Sequence, residues 1–219
     1  MDLSSSLPLL LHKQIGGCIT HRRFALYLDC NKNRRKQMLT LRFDGLFRNV
    51  PTDLLQRAQA GFMCYGWLVW RGSEIIARGH GGVARSKNAN SNIAEYLALI
   101  EGMDALLDLV CENEKVRICG DAKSVIDQMR GMAEVNASSV KPLYRRAIRL
   151  AQHFHRIHWV WTPRKDNHEA DVLTRRALRQ IRSDKQTFQT TLHILSDGKT
   201  ASTQGNKFLP LMDLRVYGA

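Results

Sequence analysis

Between residues 38 and 181 the apolar positions follow two periods, two residues in some stretches and about 3.6 in others. In 38–44, Leu39, Leu41 and Phe43 fall on one face and Thr40, Arg42 and Asp44 on the other, which predicts a strand. Residues 62–70 form a longer apolar run after Gly61, and 74–78 reads as its hairpin partner across Gly72-Ser73. From 93 to about 110 the chain is apolar on nearly every side, which predicts a buried helix with Asn92 as its cap. Residues 115–119 alternate again and end at Gly120-Asp121. Two helices follow, one with Val125, Ile126 and Met129 inward, the other over 140–155 with Leu143, Ala147, Leu150 and Phe154 inward. A strand over 156–162 and a helix over 169–181, with Ala170, Leu173, Ala177 and Ile181 on its apolar face, complete the pattern.

The order β-β-β-α-β-α-α-β-α predicts an α/β fold. Three strands joined by short loops are antiparallel, and two strands separated by helices are parallel. The expected result is a mixed five-stranded sheet with helices on both faces. Three segments follow: a basic N-terminal extension over 1–37, a single folded domain over 38–181, and a C-terminal tail over 182–219 rich in Ser, Thr, Gln and Gly. No internal repeat is present.

Charge changes the picture. With 33 Lys and Arg against 20 Asp and Glu, the formal net charge is +13, which points to a polyanionic partner such as nucleic acid. Residues 1–37 hold seven Lys and Arg against two Asp, net +5, and end in the run Lys32-Asn33-Arg34-Arg35-Lys36, which reads equally as a phosphate contact or a solvated linker. The run Leu7–Leu11 is too short for a signal peptide and follows an acid where a basic stretch belongs, so neither secretion nor a membrane span is expected. Five cysteines without a CxxC fit neither a disulfide framework nor a zinc site, and free thiols in a reducing cytoplasm are expected.

Four acids sit against this pattern. Asp44 ends the first strand among apolar neighbours. Glu95 lies in the first turn of the most apolar helix. Asp121 follows the end of a buried strand, and Asp171 opens the last helix. Each alone reads as a turn or cap residue. Together, four buried and converging carboxylates would repel one another, and a hard divalent cation, Mg²⁺ or Mn²⁺, removes that cost.

The motifs around these acids resemble those of type 1 ribonuclease H, especially its compact bacterial and archaeal forms. They are Phe43-Asp44-Gly45; Asn92-Ile93-Ala94-Glu95-Tyr96-Leu97-Ala98-Leu99; Gly120-Asp121 followed by Val125-Ile126-x-Gln128-Met129; and Pro163-Arg164-x-x-Asn167-x-x-Ala170-Asp171-x-Leu173. They occur in order over about 38–180, on the element types predicted above. The resemblance implies a ribonuclease H-like fold and metal-dependent hydrolysis of the RNA strand of an RNA–DNA hybrid, giving 5′-phosphate and 3′-hydroxyl ends. It implies two metal ions held by Asp44, Glu95, Asp121 and Asp171. Arg164 takes the basic catalytic position in preference to His168, and Gly45, Asn92, Lys123 and Asn167 are implied as substrate contacts. The implied partner is the hybrid, with double-stranded RNA left open, and the implied state is a monomer.

Several positions depart from the family pattern. A long stretch from Leu46 to Gly61, with a helical turn expected over 53–60, replaces the usual short turn after the first acid. Ala122 and Lys123 replace the usual Ser and Gln after the third. His153, His155 and His158 read as helix-end and strand-face residues, and the four tryptophans read as core. Two rival functions remain: a catalytically inactive hybrid-binding module of the same fold, and a transposase- or resolvase-type nuclease. Intact acids count against the first, and the Asn-x-x-Ala-Asp ending against the second.

Overall fold

The sheet is built outward from its two most apolar strands. In the computed structural model, residues 37–50, 60–109, 114–196 and 208–218 are described. Strand β1 (Leu39–Asn49) pairs antiparallel with β2 (Gly61–Arg71), and β2 pairs antiparallel with β3 (Glu74–Arg85). Helix α1 (Ser91–Asp108) then crosses to β4 (Lys115–Gly120), which lies parallel to β1. Helices α2 (Lys123–Met129) and α3 (Lys141–Ala151) lead to β5 (Arg156–Trp161), parallel to β4. A short 3₁₀ turn (Arg164–Asp166) enters α4 (His168–Ser183), followed by α5 (Lys185–Ser196) and β6 (Leu209–Tyr217). The strand order is β5-β4-β1-β2-β3-β6.

The expected three antiparallel and two parallel strands are present, and a sixth is added. It comes from the segment read as a C-terminal tail, and it pairs antiparallel with β3 from Ala77–Tyr217 to Ala84–Leu209. The alternation in 209–217 is weak because both faces of the strand are half-buried, so period-two reading misses it. Tertiary partners hold it: Arg215 meets Glu101 at 2.6 Å and Asp108 at 3.1 Å on α1, and the Tyr65 hydroxyl donates to Asp213 at 3.1 Å.

Other boundaries also move. Strand β1 runs five residues beyond Asp44, because Gly45–Asn49 find partners in Tyr65–Gly61. Strand β3 runs on to Arg85 for the same reason. Helix α1 is capped by Asn90, whose side chain accepts from the Ile93 N–H at 3.0 Å, and not by Asn92. Residues 53–59 of the turn expected over 53–60, the basic run 32–36, and Cys18, Cys30 and Cys111 lie outside the described residues.

Two layers of helix cover the sheet. On one face α1 and α3 pack over Leu39, Leu41, Phe43, Tyr65, Trp67 and Val69. Each Leu or Ile of α1 that is fully buried there contributes about 1.5–3 kcal/mol. On the other face α4 and α5 pack over Phe62, Cys64, Leu68 and Ala84. Trp67 is fully buried as expected, but Trp161 is 45% exposed at the end of β5. Among the described residues, no helix is long and apolar enough to cross a membrane.

Candidate active site

Strand β4 is shorter than β1. Its pairing with β1 ends at Arg42–Cys119, so the sheet opens beside Asp44, past the carboxyl end of β4. Open α/β sheets place their sites at such points. Asp44 points to the α4 face of the sheet and Asp121 follows β4 at the same end.

Two glycines bring the helices close enough to add their acids. A Cβ at Gly45 would collide with the backbone of Ala94 and Glu95, so only glycine lets the start of α1 touch β1 here. At Gly66, the β2 partner of Asp44, a Cβ would stand 2.7 Å from the Ala170 carbonyl oxygen and 2.9 Å from Thr174 N on α4. One helix therefore approaches on each side of the sheet, at neighbouring positions.

The outcome is a cluster in which Asp44, Glu95 and Asp121 each present an oxygen, all within 4.8 Å of one another. Asp44 and Glu95 are buried. Burial, and then the charge of Asp121, push the Asp44 carboxyl up to about 7. Burial, followed by the charges of Asp44 and Asp121, also pushes Glu95 well above the usual carboxylate range, although the Gly45 N–H donates to it. One oxygen of Glu95 and one of Asp121 are buried without a hydrogen-bond partner. Buried carboxylate oxygens without donors are costly. An all-oxygen donor set with these orphaned atoms fits a hard divalent cation.

Asp171 stands at the rim and is not one of these three. Burial pushes its carboxyl up, but Arg175, at 2.7 Å, and Arg164, at 3.4 Å, outweigh that and hold it below the usual range. Its charge still reaches Asp44.

Comparison with known proteins agrees with this geometry. A family model described as reverse transcriptase-like matches residues 75–177. A bifunctional protein of Mycobacterium tuberculosis is 35% identical over 131 residues, 59% of this chain and 35% of its own length. The chain thus spans about a third of the mycobacterial relatives it matches. A ribonuclease HI of Halobacterium salinarum is 31% identical over 137 residues, 62% of each chain. The solved N-terminal RNase H domain of a Mycobacterium tuberculosis protein, fused to maltose-binding protein, is 30% identical with a TM-score of 0.54; the match covers 66% of this chain and 95% of that one. The chain belongs to the type 1 ribonuclease H family.

Within this ribonuclease H fold, the residues expected to contact substrate divide. Asn92 and Lys123 are accessible at the starts of α1 and α2. Asn92 Oδ1 accepts from Ser124 at 3.1 Å, and Lys123 pairs with Asp127. Gly45 supplies its N–H to Glu95. Asn167 departs from expectation: it is 1% exposed, and its amide donates to the Phe43 carbonyl at 2.8 Å. It ties the entrance of α4 to β1, one residue before Asp44, and does not face an open groove. Ala122 precedes α2 without a side-chain cap, and the Trp161 indole N–H donates to the Asp121 carbonyl at 3.0 Å. His168 is exposed, while Arg164 reaches Asp171.

Two neighbours of this ribonuclease H site escaped sequence reading, Thr174 and Arg175. The Thr174 hydroxyl lies 3.1 Å from Asp44 and 2.8 Å from the Asp171 carbonyl, and Arg175 holds Asp171. They are three and four residues after Asp171, the spacing at which helix side chains meet. Gly66 also carried a signal, as an isolated glycine inside an apolar strand.

Proposed function

We propose that this chain is a metal-dependent endoribonuclease that hydrolyses the RNA strand of RNA–DNA hybrids, leaving 5′-phosphate and 3′-hydroxyl ends. The observation that carries this reading is the convergence of Asp44, Glu95 and Asp121 with buried oxygens left unpartnered, at the open end of a ribonuclease H sheet. A binding module without catalysis would have no use for this destabilising arrangement. The similarity to a ribonuclease HI of Halobacterium salinarum supports the same reaction class.

Asp44, Glu95 and Asp121 would hold Mg²⁺ or Mn²⁺, with Asp171 as a fourth acid at the rim and two ions expected. When bound, such ions lower the pKa of a water molecule and offset charge on the departing oxygen. The chain's own residues position and shield these groups. Thr174 fixes the Asp44 carboxylate, and Arg175 and Arg164 keep Asp171 ionised. Arg164, 70% exposed, is free to turn from Asp171 toward a scissile phosphate. Asn92, Lys123 and the Gly45 backbone border the opening where a hybrid would lie. The buried thiols of Cys64 and Cys119, both pushed up by burial, are inert core groups, in keeping with a cytoplasmic enzyme.

The test is a gel assay of end-labelled RNA–DNA hybrid, double-stranded RNA, single-stranded RNA and duplex DNA with Mg²⁺, Mn²⁺ or EDTA. RNA-strand cleavage of the hybrid that stops in EDTA is expected. Cleavage of the DNA strand, or activity that survives full chelation, would overturn the proposal.

A further inference from the structure

Helix α4 leaves the candidate site with a row of arginines on its outer face. Its inner face is Ala170, Asp171, Leu173, Thr174, Ala177, Leu178 and Ile181, all buried. Interleaved with them and just after Ile181, Arg175, Arg176, Arg179 and Arg182 are all exposed. Their spacings of three and four residues put them along one side of the helix. Arg78 on β3 is also exposed beside this row: its charge and that of Arg176 both bear on the His80 ring beneath them.

This row is not explained by the fold. Arg175 pairs with Asp171, but among the described residues no acid pairs with Arg176, Arg179, Arg182 or Arg78. Several arginines elsewhere in the fold, Arg42, Arg71, Arg146 and Arg215, do have acids; others, such as Arg145 and Arg149 on α3, are exposed like this row but do not lead away from the acidic cluster. Like charges three and four apart weaken a helix. Attraction to the helix C-terminus accounts for Arg182, in the last turn, but not for the three arginines that precede that turn. The row begins at Arg175, on the rim of the acidic cluster. At 1.5 Å per residue, it ends about 16 Å from Asp171. That distance corresponds to roughly five base pairs of duplex.

We infer that the outer face of α4 is a phosphate track, which holds the backbone of the hybrid on one side of the cut through Arg176, Arg179 and Arg182, with Arg78 alongside. This rests on the hybrid reading of the acidic cluster. The track supplies binding and takes no part in the chemistry, because these side chains lie beyond the rim residue Arg175. It reads no sequence, since phosphate contacts position a duplex without specifying bases.

The test uses the full chain with Arg176→Gln, Arg179→Gln and Arg182→Gln combined, compared with Lys141→Gln, Arg145→Gln and Arg149→Gln on the exposed side of α3, which remove the same charge elsewhere. Circular dichroism checks that both fold. Hybrids extend about six base pairs past the cut on both sides, or are trimmed to about two on the 5′ or the 3′ side. The α4 variant should raise KM about threefold to tenfold on the long hybrid, leave kcat unchanged, and flatten the salt dependence of binding in EDTA by roughly one unit of slope per lost contact. Trimming one particular side should abolish the difference from wild type. Unchanged KM and salt slope, an equal effect of the α3 variant, or a defect that persists on hybrids trimmed on either side would overturn the track. If wild type cleaves no hybrid yet the α4 variant alone loses duplex binding, the track stands and the hydrolase reading fails.

Discussion

The Thr174 hydroxyl oxygen lies 3.1 Å from Asp44 Oδ2, so helix α4 holds in place a carboxylate that the first strand contributes. The two residues are 130 positions apart, and Gly66 behind them is what permits the approach. A buried hydroxyl at this position lowers the cost of ionising Asp44. Thr174→Val removes the donor and keeps the shape. The Mg²⁺ concentration for half-maximal activity should rise about tenfold or more, as for other residues that orient metal ligands. Thr174→Ser should restore most of it. A Val variant with unaltered metal dependence would remove Thr174 from the site.

Asp121→Asn should cost about a hundredfold or more in hybrid cleavage, since a neutral amide replaces one of three converging carboxylates. Its metal-free form should melt at the same temperature as wild type or higher, because one source of repulsion on Asp44 and Glu95 is gone. Asp127→Asn is the comparison: Asp127 pairs with Lys123 and Arg130 on the surface of α2 and should lose little activity. Equal losses in the two variants would place the site elsewhere.

Stability without metal should fall with rising pH. The folded state keeps the Asp44 proton up to about 7, against 3.8 for the ordinary carboxyl. Between those values the unfolded chain has already released the proton that the folded chain still holds, so each rise in pH favours unfolding. The loss is complete above about pH 7 and amounts to no more than roughly 4 kcal/mol. Urea denaturation in EDTA from pH 4 to 8 measures it. Saturating Mg²⁺ should shrink the decline, because a bound cation favours the ionised carboxylates. A flat profile in EDTA would mean that Asp44 is not held protonated.

Strand β6 should be integral to the domain. Arg215 joins Glu101, Asp108 and Asp213, and the Tyr217 hydroxyl donates to Asp108 at 2.7 Å. Arg215→Met strands the largely buried Glu101 and should cost roughly 3 kcal/mol in urea denaturation. Adding Glu101→Met should recover most of that, since a matched apolar pair needs no counter-charge. No loss from the single change would reduce β6 to an ornament on the sheet edge.

Much was legible in the chain itself. Period-two and period-3.6 patterns located five strands and four helices, because each buries one face and the pattern of burial is local. The four acids stood out because carboxylates on apolar elements are expensive wherever they occur. What a linear pattern could not carry was decided by contacts far apart in sequence. Asn167 is buried against Phe43, where its motif had implied a substrate contact, since only the packed structure shows which face a loop residue turns inward. The rim position of Asp171 depends on Arg164 and Arg175 competing for its charge. Strand β6 exists because β3 offers an open edge and α1 offers Glu101 and Asp108, and neither is visible from 209–217 alone. The sequence by itself determined the elements and the donor chemistry of the site. The distances at which those donors meet were set by two glycines, Gly45 and Gly66, whose missing side chains matter only once a helix lies against each.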